Sequence, residues 1–316
     1  MLRQKNQSVK KPNDPSFHSI PVKLTTTLRN DQFLRCDTGL REDRILICAS
    51  DEQADILQDA EELLVDGTFQ IVPEISYPLY IIHGVFRDHG IPLVFVLLRQ
   101  KTAETSKRLI DETAIVAPRW FPRPIMLDFE QSSIRSFKAA FSTILLFGCY
   151  FHLRQSIRRK LQVGRLRSNR TQRNPLSPIS LWDVHTRTSQ STMRTNNSAE
   201  AYHRRIDAVF DCTHPTLWIF FEKLIRVEKN IRADIPQVCA GQQSKKRKLN
   251  ERLERRSLNL LSNHHQDTSV KINAIMSSIF LSNRIEKKSF SVVNSVLIDQ
   301  CAYLSHAQRL LFSLEG

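Results

Sequence analysis

The chain has 316 residues, with 46 Lys and Arg against 32 Asp and Glu, a formal net charge of +14 at pH 7. A chain of this order holds one large domain or two smaller ones at roughly 100–200 residues each, and 41% hydrophobic against 25% charged residues is the balance of a folded chain, which excludes gross disorder. Eight glycines and no self-similar repeat exclude collagen-like and solenoid architectures, and the longest apolar run, Ile91 to Leu98, falls far short of the ~20 residues a membrane helix needs.

The opening MLRQKNQSVKKPNDPS carries basic residues with no apolar run after them, so it is not expected to act as a secretory leader. Cys36, Cys48, Cys149, Cys212, Cys239 and Cys301 include no Cys-x-x-Cys pair and are expected to be reduced thiols of an intracellular protein. Residues 1–31 are polar, with Pro, Asn and Ser, and read as a disordered basic lead, order starting near Gln32. Leu63 to Val65 running into Asp66-Gly67-Thr68-Phe69, then Leu79 to Phe86, then Ile91 to Leu98 are rich in β-branched and aromatic residues and are separated by Pro or Asp-His-Gly. Three antiparallel strands are expected, because the connections are too short for a helical crossover. Thr102 to Ile115 permits a helix, and Pro124 to Phe129 (PIMLDF) is a short strand closed by Asp128. Ile134, Phe137 and Phe141 recur at helical spacing, Thr143 to Phe151 is a further apolar strand, and Leu153, Ile157 and Leu161 mark another helix. The order βββαβαβα predicts an α/β chain.

From Gln162 to Ser180 nothing apolar repeats, and an irregular basic loop is expected. Periodicity returns at Ser198, with Tyr202, Ile206, Val209 and Phe210 on one helix stripe and Leu217, Phe220, Phe221, Leu224 and Ile225 on a second, both expected to pack on the sheet. The predicted division is therefore a lead (1–31), a first part of the core (32–161), the loop (162–180), the C-terminal helices of the core (181–230) and a charged, partly helical tail (231–316).

Three carboxylates stand where folding alone does not obviously place them. Asp66 interrupts an otherwise apolar strand, Asp128 ends the fourth strand, and Glu200 lies in the first turn of the helix after the loop. Were the first and fourth strands neighbours, Asp66 and Asp128 would lie side by side, and like charges that close call for a cation between them. Mg²⁺ or Mn²⁺ takes such oxygen ligands, and two ions about 3.5–4 Å apart serve phosphoryl transfer. On spacing alone other readings stay open: Asp66-Gly67 as a turn, Asp128 as the cap of the next helix, and Asn197 with Glu200 as a capping box. His203 shares the Glu200 face and could orient that carboxylate or meet solvent. Cys149 and His152 form a Cys-x-x-His, half a zinc site by spacing; with no second pair nearby, a packed thiol and a hydrogen-bonded histidine are expected in place of zinc. No P-loop, dinucleotide-binding, serine-hydrolase or His-Glu-x-x-His motif occurs.

The blocks DGTFQIVPEISYPLYIIHG, IPLVFVLLRQKTAETS, PIMLDFEQSSIRSFKAAF, FGCYFHLRQSIRRKLQ, and RTNNSAEAYHRRI with HPTLWIFFEKL resemble, in order, those of the Mutator-like (MULE) transposase domain over roughly Gln32 to Asn230. That family is similar in fold to ribonuclease H and the retroviral integrases. The resemblance implies a ribonuclease-H-like mixed sheet, three antiparallel strands then two more, with flanking helices. It implies a DDE triad in which Asp66, Asp128 and Glu200 hold two Mg²⁺ (or Mn²⁺), with DNA cleavage and strand transfer as the activity and a homo-oligomer as for other transposases. Cys149 and His152 match the family's Cys-x-x-His, and Asn197 and His203 fall beside the third carboxylate. Two departures bear on activity. The family's long helical insertion has no room in Gln162 to Ser180, as after an internal deletion or a gene-model error, and only Cys36, Cys48 and His18 precede Asp66 where relatives often carry a zinc-binding DNA-recognition domain. A catalytically inactive transposon relic, or a domesticated nuclear DNA-binding protein, is the alternative.

Charge is concentrated between Gln131 and Trp182, where no acidic residue occurs. Arg154, Arg158, Arg159, Lys160, Arg165, Arg167, Arg170 and Arg173 are expected to meet DNA phosphates with weak sequence specificity and steep salt dependence, or to form a solvated helix face. Lys245-Lys246-Arg247-Lys248, in a polar setting, has the composition of a nuclear import signal, and nuclear residence with no membrane association is expected.

Overall fold

In the computed structural model, strands β1 (Leu34–Asp37) and β2 (Ile45–Cys48) pair antiparallel and lead into helix α1 (Asp51–Asp59). Then come β3 (Glu62–Thr68), β4 (Leu79–Phe86), β5 (His89–Leu98), α2 (Ala103–Val116), β6 (Pro124–Leu127), α3 (Gln131–Ala140), β7 (Leu145–Gly148), α4 (Asn197–Phe210) and α5 (Leu217–Cys239). The structure describes residues 17–60, 62–68, 71–73, 75, 79–86, 89–100, 102–121, 124–149, 152, 155–156, 181, 197–241, 251–252, 255 and 258–259, without the side chains of residues 197 and 200. Two units are present: Met1–Phe151 with Leu176–Trp182 and Thr195–Ser244, and His152–Pro175 with Asp183–Arg194 and Lys245–Gly316. All the elements named belong to the first.

Its strands make one mixed sheet in the order β1-β2-β5-β4-β3-β6-β7. β3, β4 and β5 form an antiparallel meander, whereas β6 adds parallel to β3 and β7 parallel to β6. The two parallel steps follow α2 and α3, as a helical crossover requires. Five adjacent strands, β5-β4-β3-β6-β7, thus have the ribonuclease-H-like arrangement, and β2 and β1 extend it past β5. The β4–β5 register slips between Ile82 and His83, where His83 faces Pro92. Proline has no N–H for the ladder, so a bulge is the expected response. The Pro92 carbonyl accepts from Gln53 Nε2 at 2.9 Å, and the Ser50 N–H donates to Gln53 Oε1 at 2.9 Å, so one glutamine both closes the α1 capping box and ties α1 to β5.

Helices α4 and α5 close the core, with Phe33, Phe95, Phe210, Phe220 and Phe221 all fully buried. Each such ring contributes on the order of 1.5–3 kcal/mol through the apolar area it removes from water. Structure starts earlier than Gln32, correcting the disordered lead for residues 17–31. Val22–Leu24 is a 3₁₀ turn, Thr26 bridges Gln32, and Ile20 and Leu24 are buried. The anchor is Arg44, only 4% exposed, whose guanidinium forks onto Asp37 at 2.8 and 2.7 Å, donates to the Phe17 carbonyl at 2.7 Å and stacks on the Phe17 ring. Phe17 in turn meets Trp218 of α5 edge-on. The last helix also runs beyond the expected limit of residue 230, to Cys239, because Ile231 is buried and Ile235 and Val238 continue its apolar stripe. β7 is shorter than the predicted Thr143 to Phe151. Residues 1–16, 157–180 and 261–316 lie outside the described residues, and with them the irregular loop and most of the charged tail.

Candidate functional site

Asp66 sits inside β3 opposite Ile81 of β4 and is 4% exposed. A carboxylate that deep is costly unless charge or hydrogen bonds compensate. Oδ1 accepts the Gly67 N–H at 3.0 Å, and Oδ2 lies 3.7 Å from Nδ1 of His203 on α4. The parallel register of β3 with β6 runs Leu63↔Ile125, Leu64↔Met126, Val65↔Leu127, so Asp66 and Asp128 are the next residues on neighbouring strands. Strands in a sheet lie about 4.8 Å apart, which puts two carboxylate-bearing positions side by side. Asp128 is half-buried just past the end of β6, with Oδ1 accepting the Glu130 N–H at 3.2 Å.

Helix α4 lies over this face of the sheet. His83 faces Leu64 across β3–β4, hence shares a side with Asp66, and the Tyr202 ring meets the His83 ring edge-on with centroids 5.5 Å apart. Close approach depends on Gly90, where a Cβ would come within 2.6 Å of Ser198 Oγ and 3.3 Å of Leu64 Cδ1. Glu200 lies in the first turn of α4, three residues before His203, and helical spacing puts the two positions on one side of the helix. The backbone thereby brings Glu200 to within a turn of the residue that contacts Asp66. Asn197 is the first described residue of α4. The Asn197 and Glu200 side chains lie outside what the structure describes.

The electrostatics around these groups are set by burial and by the acids themselves. Burial, together with the nearby His203, pushes His83 down to about 3, so it is neutral in the core. The Tyr80 phenol is driven well above its ordinary value by burial, by its hydrogen bond to Glu130 and by the Glu130 and Asp128 charges. Burial likewise raises Tyr202. Buried Asp66 and the adjoining Asp128 are hard oxygen donors, of the kind that a divalent cation such as Mg²⁺ or Mn²⁺ takes. Among the described residues no group of three or more His, Cys, Asp or Glu side chains is placed to hold a metal ion.

Cys149 is fully buried directly after β7, and its N–H donates to the Leu127 carbonyl at 2.9 Å. It borders the site through Gly148, where a Cβ would strike the Phe129 ring at 2.5 Å. His152 belongs to the second unit. Arg154, Arg158, Arg159, Lys160, Arg165, Arg167, Arg170, Arg173, Lys245, Lys246, Arg247 and Lys248 lie outside the described residues. Tyr80, His83 and Glu130 were not singled out by sequence. The signal for His83 was of the same kind as that for Asp66, one polar residue inside an apolar run, YIIHG.

No family model matches the chain, and no curated protein matches it. Among solved structures it is similar to the Drosophila P element transposase strand transfer complex, at 12% identity over 82% of this chain and 70% of that one, with a TM-score of 0.27. A likeness at that score carries no argument, so the fold assignment rests on the strand order and pairing, and the Mutator-like resemblance on the sequence blocks alone.

Proposed function

We propose that the chain is a DDE-type, Mutator-like transposase whose site at the ends of β3 and β6 cleaves and joins DNA strands. The observation that supports this reading is the parallel register that makes Asp66 and Asp128 neighbours, together with the approach of His203 of α4, one turn after Glu200, to Asp66. Asp66, Asp128 and Glu200 are the residues that would hold the two cations. When bound, the two ions neutralise phosphate charge and lower the pKa of an attacking water. Asp66 keeps its carboxylate aimed by the Gly67 N–H and by His203, and the Tyr202–His83 contact holds α4 down on the sheet. No side-chain nucleophile is needed, since water or a DNA 3′-OH attacks phosphorus in line.

The test is cleavage of supercoiled plasmid and of transposon-end DNA in Mg²⁺ by the full chain. Asp66→Asn should reduce the rate by at least about 100-fold, the scale on which removal of one charged group from such a site is felt. Equal rates for parent and variant would overturn the assignment.

A further inference from the structure

Asp128 lies one residue beyond the last hydrogen-bonded position of β6, so the ladder does not fix its side chain. Its Oδ1 accepts the Glu130 N–H, and the Glu130 side chain is reached from β4. Tyr80 stands opposite Gly67, the residue after Asp66, with its ring 3.6 Å from where a Cβ on residue 67 would be. Its hydroxyl, in a side chain only 6% exposed, donates to Glu130 Oε2 at 2.7 Å. Ser132 Oγ donates to Glu130 Oε1 at 2.6 Å, and the Glu130 N–H donates to Asp128 Oδ1 at 3.2 Å. Glu130 is also the N-cap residue of α3, yet its side chain makes no capping hydrogen bond. Its carboxylate serves Tyr80 and Ser132 instead, with each oxygen accepting from a hydroxyl.

We propose that Tyr80 and Glu130 are positioning residues that hold Asp128 beside Asp66, and so set the affinity of the pair for a divalent cation. The proposal rests on reading Asp66 and Asp128 as the ligand pair. Burial keeps the Tyr80 phenol protonated and therefore a donor throughout the working pH range. Glu130 acts through its hydrogen bonds and not as a ligand. Groups that orient metal ligands from behind typically alter metal affinity by 10–100-fold when removed.

The experiment is Mn²⁺ titration of the full chain followed by electron paramagnetic resonance, with circular dichroism at the same temperature. Parent, Asp66→Asn, Tyr80→Phe, Glu130→Ala and Glu130→Gln are compared. Tyr80→Phe and Glu130→Ala should each weaken Mn²⁺ binding by roughly 10-fold with the fold intact. Glu130→Gln, which can still bond both hydroxyls, should stay within about two-fold of the parent. If Asp66→Asn binds as the parent does, the ligand-pair reading fails. If Asp66→Asn loses binding while Tyr80→Phe does not, the positioning role fails and the ligand pair stands. Glu130→Gln as damaging as Glu130→Ala would show that charge or ligation, and not orientation, is what Glu130 supplies, and a Tyr80→Phe loss matched by lost ellipticity would reduce its role to stability.

Discussion

Glu228 is fully buried in α5, with Oε1 3.4 Å from Arg232 Nη1 one turn on. Burial, and secondarily the charge of Glu52, raises its carboxyl above the ordinary value, while Arg232, Ser50 and Arg29 oppose the rise. A carboxyl whose folded-state pKa is raised takes up a proton on folding in the window between its unfolded and folded values. Its contribution therefore destabilises the fold at neutral pH, and that penalty fades as pH falls through the folded value. Glu228→Gln removes the buried charge, and Arg232, being partly exposed, can turn to water. The variant should melt about 2–4 °C higher than the parent at pH 7, the shift that ~1 kcal/mol produces in a domain of this size. The gap should close toward pH 4.5. A variant less stable than the parent at pH 7 would mean that the Arg232 pair outweighs the burial penalty.

The placement of α4 on the sheet hinges on Gly90, because a Cβ there would approach Ser198 Oγ to 2.6 Å and Ser198 Cβ to 3.1 Å. Gly90→Ala should cost about 1–3 kcal/mol as overpacking, and pairing it with Ser198→Gly should return part of that loss. Strictly additive losses in thermal melts of the double variant would show that the two residues do not share this contact. How legible each element was follows from its local pattern. The Leu79–Phe86 and Ile91–Leu98 runs announce β4 and β5, and the Tyr202-Ile206-Phe210 stripe announces α4. β1 and β2 were not separable as strands, since four residues such as Leu34-Arg35-Cys36-Asp37 show neither alternation nor a clean break. Residues 17–31 look like a polar lead because Phe17, Ile20 and Leu24 are isolated in sequence and become core only through Arg44 and Trp218, partners far along the chain.

At the scale of the whole molecule, Asp66 and Asp128 stand out in the sequence because a charged residue in or just after an apolar strand is conspicuous. The strand order then makes Asp66 and Asp128 neighbours, with α4 above them. What surrounds them was not legible: the pairing of Tyr80 with Gly67, the reach from Tyr80 to Glu130 and the burial of His83 beneath Tyr202 depend on register and on a bulge at Pro92. The central claim is that the ends of β3 and β6 form one divalent-cation site completed by α4. Anomalous scattering from Mn²⁺ in crystals of the full chain tests it most directly. The account predicts Mn²⁺ about 2.1 Å from carboxylate oxygens of both Asp66 and Asp128, with Glu200 directed at the same ions. Mn²⁺ bound elsewhere, with either aspartate turned away from it, would contradict the account.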